Sequence, residues 1–223
     1  MIYTLTRSKR KTIALYVRNG NIEVRAPLRM SKRAIEKFIA SKEKWILDKI
    51  TLSWKQEMQR EKFSLDYGDT VICRNKPRQI TATDGDDIDF DDERFYIPAG
   101  KTPEQIKQAC VQIYKMIARR DLTIKTYEFG KHLFVTPTAV KINSAKSRWG
   151  SCSAKGRINF SWRLIMADDE VIDYVVVHEL AHLVELNHSK TFWMIVERVL
   201  PDYKERQKRL KELQDRLGGE VWD

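Results

Sequence analysis

His178-Glu179-Leu180-Ala181-His182-Leu183-Val184-Glu185-Leu186-Asn187-His188 is the most informative stretch of this chain. On a helix, residues four apart lie one above the other, so His178 and His182 can aim two imidazoles at one point. Glu179 sits beside them, close enough to reach a metal-bound water without being a ligand, which is the mechanical sense of the HExxH pattern. His188 follows six residues after His182, and a straight helix would carry it away from the pair. The chain is therefore expected to bend after about Leu186, with Asn187 as a residue that accepts a left-handed, helix-ending conformation. Three neutral imidazoles leave a fourth position open, as catalytic zinc requires. Glu185 and Glu197 are alternative third ligands, because carboxylates also bind zinc. Three of the four histidines fall within this stretch, a clustering that packing alone does not explain.

The flanks fit a rigid, buried site. Val171, Ile172, Tyr174, Val175, Val176, Val177, Leu180 and Leu183 surround the helix almost completely, and a helix apolar all round is buried. Ala167-Asp168-Asp169-Glu170 puts acidic groups at its N-terminus, where the helix dipole favours them. Ser189 is a good cap for a following helix. Helices are expected at 168–186, 190–200 and 202–217. The expected chemistry is hydrolysis: zinc acidifies a water, Glu179 takes the proton as general base, and the ion polarises the scissile carbonyl.

Upstream, Val140 to Asn143 and Ile158 to Ile165 read as strands. Thr102-Pro103-Glu104-Gln105 is a strong helix start with a capping box, and the helix should run to about Phe129 with Gly130 as its stop. Pro98-Ala99-Gly100 reads as a linker. The expected division is therefore a metallopeptidase domain at 101–223 behind a mixed β/α region at 1–100. In that region, two alternating runs flank Asn19-Gly20 as a hairpin, Ser31 caps a helix reaching about Arg60, and residues 70–73, 79–83, 88–90 and 95–97 are short strand candidates.

Composition excludes several classes. The chain is 42% hydrophobic and 32% charged, enough apolar material for a core and too much for disorder. No apolar run is long enough to span a membrane, and Met1 to Lys11 lacks the apolar core of a secretory signal. Cys73, Cys110 and Cys152 form no CxxC pair and no disulfide framework, so a reducing cytoplasm is the simplest compartment. The net charge is +10, and residues 1–62 hold 16 Lys/Arg against 6 Asp/Glu. That basic segment would draw polyanions, nucleic acid among them, although no known nucleic-acid motif appears.

Other candidates read more simply as structure. Arg148-Trp149-Gly150-Ser151-Cys152 reads as a shaped turn with a buried Trp149 and a small buried thiol. His132 is isolated. Tyr203 could donate to an oxyanion but reads as packing, Phe192 and Trp193 read as core, and the Lys204–Lys211 run reads as a solvated helix face.

Ser147-Arg148-Trp149-Gly150-Ser151-Cys152-Ser153, then Ile158 to Ile165, then Val171 to Leu183, then Asn187-His188-Ser189-Lys190-Thr191-Phe192-Trp193 together resemble the YgjP-like metallopeptidases. These are in turn similar to the SprT-like proteases. The resemblance implies an α+β, zincin-like metallopeptidase domain in which a small sheet packs on a buried active-site helix. It implies one zinc ion on His178, His182 and His188, with Glu179 as catalytic base and protein or peptide as substrate. It also implies a strand ahead of the metal helix, here Arg157 to Ile165, that pairs with extended substrate. The third-His spacing matches the metzincin pattern as well, but Glu185 stands where that pattern has glycine, and Met194 falls inside an expected helix. Two further function classes compete: a nucleic-acid-associated protein, and a metal-dependent hydrolase of a non-peptide amide. SprT-like proteases act on protein bound to DNA, so the first can coexist with peptidase activity.

Overall fold

The computed structural model describes residues 2–18 and 20–222. It divides into two compact units, one of residues 1–63 with 215–221, the other of residues 64–214 with Trp222.

The first unit is a three-stranded sheet with two helices. Strands β1 (Thr4–Ser8), β2 (Ala14–Arg18) and β3 (Asn21–Pro27) take the order β1-β3-β2, with β3 parallel to β1 and antiparallel to β2. Arg18 pairs with Asn21, so a two-residue loop closes the hairpin, as expected. Gly20 supplies a positive φ of 73° there, while Asn19 lies outside the described residues. Strand β3 alternates, burying Ile22, Val24 and Ala26 against Ile35, Ile39 and Ile46. The expected single helix is two: α1 (Lys32–Ala40), capped by Ser31, and α2 (Glu43–Lys62). Ser41 ends α1 by donating its hydroxyl to the Phe38 carbonyl at 2.7 Å, a local bond that competes with the helical ladder. Residues 215–221 are tied to α2 through Gln56 Nε2 to the Asp215 carbonyl and Arg60 Nε to the Gly218 carbonyl, at 2.6 and 2.7 Å.

The second unit holds the larger core. Strands β4 (Thr70–Cys73), β5 (Lys76–Thr83), β6 (Asp89–Phe90) and β7 (Arg94–Pro98) form a sheet in the order β4-β5-β7-β6. Helix α3 (Pro103–Leu133) starts at the expected capping box of Thr102 and Gln105. It runs through Gly130, which is not its stop. The chain reverses at Phe134 in the left-handed region (φ 56°), and a Cβ at residue 130 would lie 2.7 Å from the returning Val135 carbonyl. Glycine is thus needed at 130 for close approach. Strands β8 (Ala139–Asn143), β9 (Gly150–Cys152) and β10 (Arg157–Ser161) form a second sheet in the order β8-β10-β9. A 3-10 turn, Trp162–Met166, takes the second half of the expected strand. Its five residues are all buried, Arg163 included, and a run buried on every side shows no alternation to separate strand from turn.

Helices α4 (Asp169–Ala181), α5 (Lys190–Val199) and α6 (Tyr203–Leu217) follow. The division of units falls at 63/64, whereas the sequence suggested 100. The reason is that β4–β7 share the core of α3. The Tyr114 hydroxyl donates to the Ile72 carbonyl at 2.7 Å, and the Arg74 amide donates to the Ile165 carbonyl at 2.7 Å. Phe95, Tyr114, Trp162 and Trp222 form one ring cluster with centroids 5.2–5.9 Å apart. The fold is α+β, with a small sheet beside a buried helix, as the sequence implied.

Candidate metal centre

Helix α4 is clamped before it presents anything. Asp168 caps it by accepting from the Val171 amide at 3.0 Å. Arg209 of α6 pairs with Asp168 and, at 2.6 Å, with Glu170, while Lys125 of α3 pairs with Asp173 at 2.6 Å. Val171, Ile172, Val175, Val176, Val177 and Leu180 are buried all round it. A helix held on every side cannot roll, so the direction in which its C-terminal side chains point is fixed.

The helix ends at Ala181, earlier than the sequence suggested. The Ala181 carbonyl accepts from both Val184 and Glu185, and Ser189 donates its amide to the Asn187 carbonyl. The bend is therefore a tight turn through 182–188, and the expected left-handed Asn187 is absent from it. Ser189 then caps α5, as expected, accepting from the Phe192 amide at 3.3 Å.

This turn brings the three histidines together. Ring centroids lie 5.1 Å apart for His178–His182, 5.0 Å for His178–His188 and 4.7 Å for His182–His188. One potential ligand atom from each ring lies within 4.8 Å of the other two. His178 Nε2 and His188 Nε2 are 3.0 Å apart. Two nitrogens on a tetrahedral zinc would stand about 3.3 Å apart at ordinary bond lengths, so the donor set fits such an ion. His182 Nδ1 lies 3.1 Å from the Glu185 carbonyl, a bond that places the proton on Nδ1 and leaves Nε2 as the lone-pair donor. Burial, with His182 and His188 nearby, pushes His178 down to about 3, so that ring is neutral and ligand-ready at any ordinary pH. Its Nδ1 is buried without a hydrogen-bond partner among the described residues. Burial also lowers His182, partly offset by the Glu185 carbonyl. Glu185 thus supports His182 through its backbone, and neither Glu185 nor Glu197 joins the cluster.

Glu179 points off the same helix and is only 6% exposed. Burial pushes its carboxyl up to about 7, against a downward pull from the Arg148 guanidinium. It packs face to face with strand β9: a Cβ built on Gly150 would lie 2.6 Å from both Glu179 Cγ and Oε1. The segment read as a shaped turn is therefore an edge strand against the Glu179 carboxylate, and Trp149 just before it is half-buried. Strand β10 is the centre of its sheet, paired on one side with β8 and on the other with β9. Both of its edges are occupied, which corrects the expectation that Arg157 to Ile165 pairs with an extended substrate.

Phe192 is the residue that sequence reasoning undervalued. It is fully buried, and its ring lies 4.9, 4.5 and 4.7 Å from the rings of His178, His182 and His188. It is the apolar floor on which all three imidazoles rest. The available signal was its spacing: Phe192 follows His188 by one helical turn after the Ser189 cap. Trp193 stacks on His188 on one side and on Tyr203 on the other, at 5.8 and 5.2 Å. Tyr203 is thus engaged in a ring column, in line with a packing role. His132 is exposed and stands outside the cluster, against Phe129.

Residues 11–213 match the family model described as YgjP-like, metallopeptidase domain. Among solved structures, the metallopeptidase zymogen abylysin of Pyrococcus abyssi is similar at 28% identity and a TM-score of 0.39, covering 41% of this chain and 92% of that one. The metallopeptidase zymogen jannalysin of Methanocaldococcus jannaschii is similar at 18% identity and a TM-score of 0.37, covering 41% of this chain and 94% of that one. No curated protein matches. With the family match running through both compact units and the whole histidine cluster, this chain belongs to the YgjP-like metallopeptidases.

Proposed function

We propose that this metallopeptidase is a zinc-dependent endopeptidase, with one ion held by His178, His182 and His188 and with Glu179 as general base. The convergence of the three imidazoles over Phe192 is the observation that carries the reading. Zinc, when bound, supplies Lewis acidity that acidifies water and polarises a carbonyl. Glu179 accepts the proton of the attacking water on its carboxylate and returns it to the leaving amine. Its setting favours proton uptake, because burial raises its carboxyl above the usual carboxylate range. The substrate backbone lies along β9. Ser161 donates to the Trp149 carbonyl and Ser153 to the Arg157 carbonyl, so residue 151 faces β10 by alternation, and the Gly150 and Cys152 backbone groups face the outer edge. Those groups can bond an extended peptide next to Glu179.

Metal analysis of the purified protein, paired with a casein-cleavage assay, tests this. One zinc per chain, chelator-sensitive cleavage, and a Glu179→Gln variant that keeps zinc but loses cleavage are expected. Normal cleavage by Glu179→Gln would sink the base assignment.

Three free cysteines, two of them buried, fit a reducing cytoplasm. No described helix is long and apolar enough to cross a membrane. The basic excess of residues 1–62 favours a second reading, in which nucleic acid is bound there. Binding that falls steeply with salt and weakens when Lys/Arg in 29–62 are neutralised is its test.

A further inference from the structure

Helix α6 carries Lys204, Gln207, Lys208, Lys211 and Gln214 on one stripe, at the i, i+3, i+4, i+7 spacing that aligns side chains on a helix face. The opposite face is spent: Tyr203 and Leu213 are buried, while Arg206 and Arg209 pair with Asp202, Asp168 and Glu170. The stripe is exposed along its length, as expected of a solvated helix face. With Trp149 it lines an open groove of about 460 Å³. Lys204 and Lys211 make no ion pair among the described residues, and Lys208 reaches only Glu212, at 4.0 Å between two exposed side chains. Such a pair holds its partner weakly. Trp149 is also the residue from which β9 starts, one position before Gly150 and its contact with Glu179.

We propose that this groove is a substrate subsite for acidic polypeptide segments, continuous through Trp149 with the β9 edge, a proposal that rests on the peptidase reading above. Lys204 to Gln214 spans about 15 Å of helix, which matches four to five residues of extended chain. Three lysine ammonium groups face carboxylates from that segment, the two glutamines bond its backbone or side-chain amides, and the Trp149 face covers one side. Single-stranded nucleic acid is the weaker fit, because it is held by several aromatic platforms in succession and this groove has one.

The test uses the full zinc-loaded chain and two internally quenched peptides that differ only in an Asp/Glu run against an Asn/Gln run on one side of the cleavable segment. Their affinities are read separately by fluorescence anisotropy with Glu179→Gln protein. At low salt, the acidic peptide is expected to bind about tenfold more tightly and to have a correspondingly lower KM, an advantage lost at high salt. Lys204→Gln/Lys208→Gln/Lys211→Gln should erase that advantage, bringing the affinity and KM of the acidic peptide to those of the neutral one. Equal handling of the two peptides by the unmodified chain, or an advantage that survives the triple variant, would overturn the subsite and leave the peptidase reading standing. Acidic preference in binding with no cleavage of either peptide would instead sink the peptidase reading. A short single-stranded oligonucleotide that binds more tightly than the acidic peptide, and is weakened by the same variant, would overturn the choice of ligand.

Discussion

Gly150→Ala is the most searching perturbation of the site, because it changes one methyl group and touches no proposed ligand. A Cβ at residue 150 would stand 2.6 Å from Glu179 Cγ and Oε1 and 2.8 Å from Cδ. Ordinary contact is 3.4–4 Å, so the carboxyl must retreat by about 0.8 Å or more, and a misplacement near 1 Å costs about a hundredfold in rate. Glu179 is buried, so it has little room to take another rotamer of equal quality. We expect kcat/KM on a casein-type substrate to fall about 100-fold, equivalent to about 2.7 kcal/mol of transition-state stabilisation. Zinc content should not change, because none of the three histidines touches Gly150 in the contacts above. Residue 150 has no positive φ, so the backbone accepts alanine and the unfolded chain loses entropy, which keeps the thermal midpoint near that of the parent. In the double variant with Glu179→Asp, the shorter side chain makes room for the methyl, and the combined loss should be clearly less than the product of the single losses. Wild-type kcat/KM in Gly150→Ala would show that the methyl group does not displace Glu179, and a loss that tracks with lost zinc would show that residue 150 acts through the metal instead.

Three other perturbations probe the supports. Phe192→Ala empties the floor under the three rings and should destabilise the fold by about 3–5 kcal/mol in urea unfolding, with weaker zinc binding by titration. Asp168→Asn tests the clamp on α4: burial raises its carboxyl, but the Arg209 bond and the Val171 amide outweigh burial and hold it below the usual range. A depressed carboxyl stabilises the fold above its unfolded pKa of about 3.9 and loses that contribution as pH falls towards the folded value, so the stability gap between parent and Asp168→Asn, about 1 kcal/mol at neutral pH, should shrink on acidification below about pH 4. For the thiols, burial pushes Cys73 up to about 11 and Cys110 up to about 12, so an aromatic disulfide reagent at pH 8 should label only Cys152 in the native protein and all three cysteines in guanidinium.

How far the sequence could be read depended on whether a feature carries its own period. Helix α4 was legible because its apolar residues surround it and its histidines repeat one turn apart, and the Thr102 and Ser189 caps were legible from local hydrogen-bond chemistry. Strand β9 was not: Gly150-Ser151-Cys152 has weak strand propensity, and what makes it a strand is pairing with β10 across a turn at residues 153–156. The same pairing is what moved the open edge from β10 to β9. The 3-10 turn at 162–166 escaped, and the bend expected after about Leu186 begins earlier, at 182, for a related reason, since both are set by tertiary contacts on segments without a period. Gly130 misled because glycine near a helix end signals a stop, whereas here it admits a returning carbonyl.

Under the proposed mechanism Glu179, one residue away from a ligand, must lie against the reacting atoms without itself binding the ion, and a helix alone does not enforce that. In this chain the separation is enforced from two sides. Phe192, from α5, contacts the rings of His178, His182 and His188, whereas Gly150, from β9, contacts the chain of Glu179. Both contacts depend on side-chain size: a large one at 192 to carry three rings, none at 150 to admit a carboxylate. Exchanging small for large at either position should therefore damage different properties. Loss of bulk at 192 should weaken metal retention and stability together, whereas gain of bulk at 150 should slow turnover with the metal retained. If both variants lost metal and turnover in proportion, the two supports would not be separable and the division of labour between α5 and β9 would be wrong.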